Sequence, residues 1–154
     1  MRGIRWLALV VLLVGLVGTA ALGARPVRTA HGEFWSVIYL GQTPRFDVQI
    51  TFNIQARGED DRGTISIRYF DVVTAKLVGV VVSTEIFPIW FESDEQIGFV
   101  AQLRAPKWDM PMQFPEWAGF LATDGGASDD FEVFGFYTFS LTPTRGKIVI
   151  HAFD

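Results

Sequence analysis

The sequence predicts an all-β domain, an antiparallel β-sandwich or barrel of about eight strands, preceded by an N-terminal signal peptide. Three observations predict it. Apolar and polar residues alternate without error through 46–57. Clusters of glycine and acidic residues punctuate the chain between one alternating run and the next. After the opening apolar stretch, no segment carries the 3.6-residue spacing of an amphipathic helix.

The first residues differ from the rest. Arg2 and Arg5 form a short positive region, residues 6–17 are apolar apart from Gly15, and small residues follow from Gly18 to Ala24. That order is the pattern of a secretory signal peptide, with small side chains one and three places before the cut. Ala21 and Gly23 place the cut after Gly23. The alternative is an uncleaved anchor helix, since the stretch is near the lower limit of about 17 residues for spanning a bilayer. Residues 1–23 are thus read as signal peptide, 24–32 as a linker around Pro26, and 33–154 as a single domain.

Composition narrows the function classes. The net charge is −4. Loss of 1–23 removes two arginines and no acid, so the remainder is more acidic still. Phosphate contacts need a surplus of Lys and Arg, which argues against nucleic acid as a partner. The chain has no cysteine. That excludes thiolate chemistry, Cys-based zinc sites and a lipid-anchored cysteine, and export without disulfides points to a bacterial or archaeal source. A membrane is expected as a partner only through an uncleaved N-terminal segment.

The strands follow in order. Residues 34–40 supply the first. In 46–57, Phe46, Val48, Ile50, Phe52, Ile54 and Ala56 share one face, the period of a half-buried strand. The polar turn 58–63 leads into a return strand, 64–72. Residues 77–84 are valine-rich, and β-branching favours a strand. Residues 97–104 alternate again, with Ile97, Phe99, Ala101 and Leu103 inward. Residues 118–123, 131–141 and 147–153 complete the set. Unequal strand lengths favour a sandwich over a barrel.

Three places could carry chemistry. The loop Asp124-Gly125-Gly126-Ala127-Ser128-Asp129-Asp130 offers carboxylates to a hard cation such as calcium, with Asp124, Asp129 and Asp130 as ligands; the plainer reading is a solvated turn. The segment 104–117 holds three prolines and is expected to be neither helix nor central strand. It also carries Trp108, Met110, Met112, Phe114 and Trp117. So many large apolar groups either plug the end of the core or present a ligand-binding surface. His31 and His151 are not linked at ligand spacing. No serine sits in a Gly-x-Ser-x-Gly elbow. Paired acids, such as Glu92 with Asp94 or Glu95, would suit a glycosidase, and acids in polar loops are mostly just solvated.

The order of Gly63-Thr64-Ile65-Ser66-Ile67-Arg68-Tyr69, Asp124-Gly125-Gly126, Asp129-Asp130-Phe131-Glu132-Val133 and Gly146-Lys147-Ile148-Val149-Ile150-His151 resembles a small β-domain of exported bacterial proteins, the kind found after choice-of-anchor modules. The resemblance covers residues 46–151 and implies an exported β fold, without an activity. Gly32-Glu33-Phe34-Trp35 is also similar to the Gly-x-Trp start of lipocalin-like barrels, with one residue more.

The leading expectation is therefore a non-catalytic extracellular β-module for surface architecture or partner binding, be the partner a protein, a glycan or a small apolar ligand. The alternative is a lipocalin-like carrier of a small apolar ligand, with 104–117 as its lid. That carrier needs an apolar cavity of a few hundred Å3. An extracellular glycan-acting enzyme stands third, and needs facing carboxylates about 5–10 Å apart.

Overall fold

The computed structural model describes residues 27–57, 60–135 and 138–152. The stretch read as a signal peptide, with its cut after Gly23, lies outside them. Nine strands are described: β1 (Arg28–Leu40), β2 (Thr43–Ala56), β3 (Arg62–Asp71), β4 (Leu77–Phe91), β5 (Gln96–Trp108), β6 (Trp117–Thr123), β7 (Asp130–Phe134), β8 (Phe139–Leu141) and β9 (Arg145–Ala152). They pair antiparallel in one sheet, in the order β8-β7-β6-β5-β4-β3-β2-β1-β9. The all-β expectation holds, but the preference for a sandwich does not. Each strand from β1 to β7 pairs with the next in sequence, and β9 returns to pair with β1. The hydrogen-bonded ladder therefore never divides into two sheets.

The sheet is strongly curled into a half-barrel, and ring distances show how strongly. Adjacent strands lie about 4.8 Å apart. Flat, β2 and β5 would be about three such spacings apart, and β1 and β7 about six. Yet Phe52 of β2 and Phe99 of β5 have ring centroids 6.1 Å apart, and Phe34 of β1 and Phe131 of β7 only 5.4 Å. Phe120 of β6 completes the cluster, 5.2 Å from Phe99 and 5.7 Å from Phe131. All five rings are essentially inaccessible to solvent. The geometry favours Gly32 opposite Phe52, since a Cβ there would clash with the Phe52 ring.

The alternation in β2 carries through as expected. Phe46, Val48, Ile50, Phe52 and Ile54 are buried, with more accessible residues between them. Local chemistry sets the turns. Gly41, at φ 65°, supplies the left-handed residue of the tight β1–β2 turn. Asp71 Oδ1 accepts from the backbone amides of Val73 and Thr74 and from the Thr74 hydroxyl, which fixes the β3–β4 turn. Hydrogen bonds from Thr74, its backbone amide first, hold the Asp71 carboxyl below its ordinary range.

Three other expectations change. Arg28–Gly32, within the stretch read as a linker, forms the first part of β1 and pairs with both β2 and β9. Residues 131–141 form a hairpin, β7 and β8, with Phe131 opposite Leu141. Inward residues stay in step across Gly135, so alternation alone could not show the reversal. Finally, β5 runs on through Pro106 to Trp108. This is possible because β6 pairs only with 96–102 of β5, leaving the later residues at an edge. On the β4 side, Pro106 falls where the register shifts between Val80 and Val82. Proline is tolerated at edges and bulges, where no ladder amide is lost.

The phenylalanine cluster should dominate stability. Phe131→Ala is expected to cost about 3–5 kcal/mol in denaturant unfolding, because it opens a cavity at the meeting of three rings. Val73→Ala, at a fully solvated turn, should stay within about 0.5 kcal/mol of the parent.

Candidate functional site

Beyond the pairing with β6, the chain from the end of β5 turns back over the concave face. Leu103 N still donates to Glu116 O at 2.8 Å, and Asp109 N donates to Val78 O at 2.7 Å. Between those anchors the segment bends inward. The Trp108 indole Nε1 donates to Met112 O at 2.8 Å. Its ring meets Phe114 edge-on at 5.3 Å and Tyr69 edge-on at 5.7 Å.

Under this cover lies an apolar cavity of about 380 Å3. Its base is Ile67, Val81 and Phe120, the last a member of the ring cluster. Its sides are Phe46 and Tyr69 on one hand, and Leu103, Ala118 and Val133 on the other. Trp108, Met112 and Phe114 cover it, and the exposed Tyr39, Leu40, Gln113 and Thr138 surround its mouth. Among the described residues, no Asp, Glu, Lys, Arg or His lines it.

The five candidate ligand-binding residues are divided by this arrangement. Trp108, Met112 and Phe114 line the cavity. Met110 is buried behind the wall, next to Gly79, and does not line it. Trp117 is about half exposed on the outer face, because it lies out of step with Ala118 and Phe120. The rest of the wall comes from strands that sequence reading assigned only to the core. Their period-two pattern gives the correct face, but cannot say where that face stops being filled.

Tyr69 is the polar exception in the wall. Its hydroxyl has no hydrogen-bond partner among the described residues, and it is not sealed away in protein. Burial raises the phenol from 10.0 to about 12. It therefore remains a neutral donor at any ordinary pH.

The acidic loop has another task. Asp129 Oδ2 accepts from Ile148 N at 2.6 Å, and Asp129 Oδ1 from Gly125 N at 3.2 Å. Asp124 Oδ2 accepts from Ile150 N at 3.1 Å, and Asp124 Oδ1 from Gly126 N at 3.4 Å. Asp130 Oδ1 accepts from the Ser140 hydroxyl at 2.6 Å. The carboxylates expected to gather around calcium are thus turned to protein donors, two of them on the free edge of β9. No group of three His, Asp or Glu suited to a metal occurs among the described residues.

The remaining candidates are scattered. Glu92, Asp94 and Glu95 lie in the exposed β4–β5 turn, outside the cavity. Asp94 pairs with Arg28 at 3.4 Å, and Glu92 accepts weakly from the Trp90 indole at 3.4 Å. His31 and His151 lie diagonally across the β1–β9 ladder, with ring centroids 5.8 Å apart. Sequence distance concealed this, since β9 returns to β1 from the far end of the chain.

Two outcomes follow. Asp129→Ala strands the buried Ile148 amide and should cost about 1–3 kcal/mol by denaturant unfolding, while neither calcium nor a chelator shifts the wild-type Tm. The Tyr69 shift gives the second. Its native pKa lies above the unfolded value, so its contribution is fully present below pH 10.0 and is lost as pH rises through about 12. In melts across that window, wild type should lose stability relative to Tyr69→Phe.

Comparison of the chain with protein-family models, with curated proteins and with solved structures finds no match, so the cavity is interpreted from its own geometry.

Proposed function

We propose that this domain is a carrier for a small apolar ligand, held in the cavity beneath Trp108, Met112 and Phe114. One observation carries the reading: the concave face is filled with side chains at the phenylalanine cluster and left open above it, over about 380 Å3. That size lies within the usual range of small-molecule sites. A module serving only as architecture gains nothing from such a space, because an unfilled apolar void forfeits packing contacts. The wall also supports the carrier over a glycan-acting enzyme, which would need facing acids, whereas no carboxylate among the described residues lines the cavity. The segment 109–116 is the natural cover, since it spans two anchors and is not part of the ladder. The N-terminal apolar segment supports an extracytoplasmic place of action.

An apolar fluorescent probe, N-phenylnaphthylamine, tests the reading. It should brighten on binding wild type with saturable, one-to-one stoichiometry. Ala118→Phe places a ring in the open space and should weaken that binding at least tenfold while the Tm stays close to that of the parent. If wild type gives no saturable response, or if Ala118→Phe binds the probe equally well, the cavity is not the binding site.

A further inference from the structure

We infer that the Tyr69 hydroxyl is the polar anchor of this cavity, donating a hydrogen bond to an uncharged acceptor oxygen on an otherwise apolar ligand. The inference rests on the carrier reading and specifies its ligand class: small ketones, esters, lactones or ethers, in preference to plain hydrocarbons or fatty carboxylates.

The ring that carries the hydroxyl is closely packed. Trp108 meets the Tyr69 ring edge-on at 5.7 Å and 82°, and Phe46 does so at 6.5 Å and 88°. Gly79, its ladder partner on β4, is in close packing range of the ring and of Trp108. A ring held on three sides keeps its hydroxyl in one place, which is the condition for orienting a ligand.

The other polar groups of the wall do not compete. The Trp108 N–H is already given to Met112 O, and Tyr39, Gln113 and Thr138 are exposed at the mouth. Each ligand class then meets a different balance. A carboxylate would shed its hydration with no cation among the described wall residues to compensate. A hydrocarbon would bury the phenol hydroxyl without a partner, at the cost of that donor's desolvation. A carbonyl or ether oxygen satisfies the donor and carries no charge. A phenol is protonated across the physiological range in any case, and burial raises it further, so the donor is constant there.

The test uses 2-nonanone, nonane and nonanoate as probes, with the methyl NMR signals of Ile67 and Val81 as the reporter. Wild type should bind 2-nonanone about three- to tenfold more tightly than nonane, the span of one net hydrogen bond, with nonanoate weakest. Tyr69→Phe should erase the ketone's advantage and leave nonane unaffected or improved. In wild type alone, independent of any variant, the carbonyl stretch of bound 2-nonanone should fall to lower frequency, as a donated hydrogen bond requires. Unchanged ketone affinity in Tyr69→Phe, an unshifted carbonyl stretch, or tightest binding by nonanoate would each overturn the anchor while leaving the cavity intact as a binding site. If none of the three probes moves the Ile67 or Val81 signals, the carrier reading fails and the anchor fails with it.

Discussion

Contact among five phenylalanine rings is the constraint on which the rest of this structure depends. Phe34, Phe52, Phe99, Phe120 and Phe131 come from five different strands, and each sits within about 6 Å of at least one other. Antiparallel ladders twist on their own, but twist alone does not bring β1 beside β7. Burial of these large rings against one another draws opposite walls together. Once that happens, the free edge of β9 comes within reach of the β6–β7 turn, and Asp124 and Asp129 can meet its amides. Ser36 Oγ, also buried, reaches Thr142 O at 2.8 Å and ties the β8–β9 connection to β1.

The cavity is a consequence of unequal strand length on either side of that cluster. β4 and β5 span 15 and 13 residues, whereas β6, β7 and β8 span 7, 5 and 3. The long strands extend past the rings, and the short ones do not follow them. The inward positions at that end include residues as small as Ala118. The turn from β5 to β6 fills part of the deficit with Trp108, Met112 and Phe114, and leaves the remainder open. Shifts in β4–β5 register add to the effect, because a bulge bends a strand and re-aims its side chains.

Much of this was legible in the chain, and the missing parts share a cause. Strand positions followed from period two, because every inward residue of β2 and most of β5 declares its face locally. Whether those faces close on each other or on a second sheet depends on pairings between residues far apart in sequence, such as Phe34 with Phe131. Alternation carries no information about them. The same limit applies to the site. Trp108, Met112 and Phe114 were conspicuous because large apolar groups are unusual in a proline-rich connection. Tyr69 was hidden, since one tyrosine on the inward face of a strand is the ordinary composition of a core. The acids of 124–130 drew notice as ligands because carboxylates clustered with glycines suit a cation. In the structure Asp129 and Asp124 meet the amides of Ile148 and Ile150, which carry no side-chain signal.

Those two amides have a meaning beyond local bonding. An edge strand with free N–H groups is an invitation to any extended chain, including a copy of its own. β9 is eight residues long and rich in isoleucine and valine, the composition most prone to recruit a neighbour. Carboxylates seated on Ile148 and Ile150 occupy the donors that an incoming strand would need, and they add negative charge along its approach. At the opposite end of the sheet, β8 offers only three residues. The molecule thus guards one border with acid and the other with brevity, and so can keep an apolar hollow inside without becoming a template for fibres.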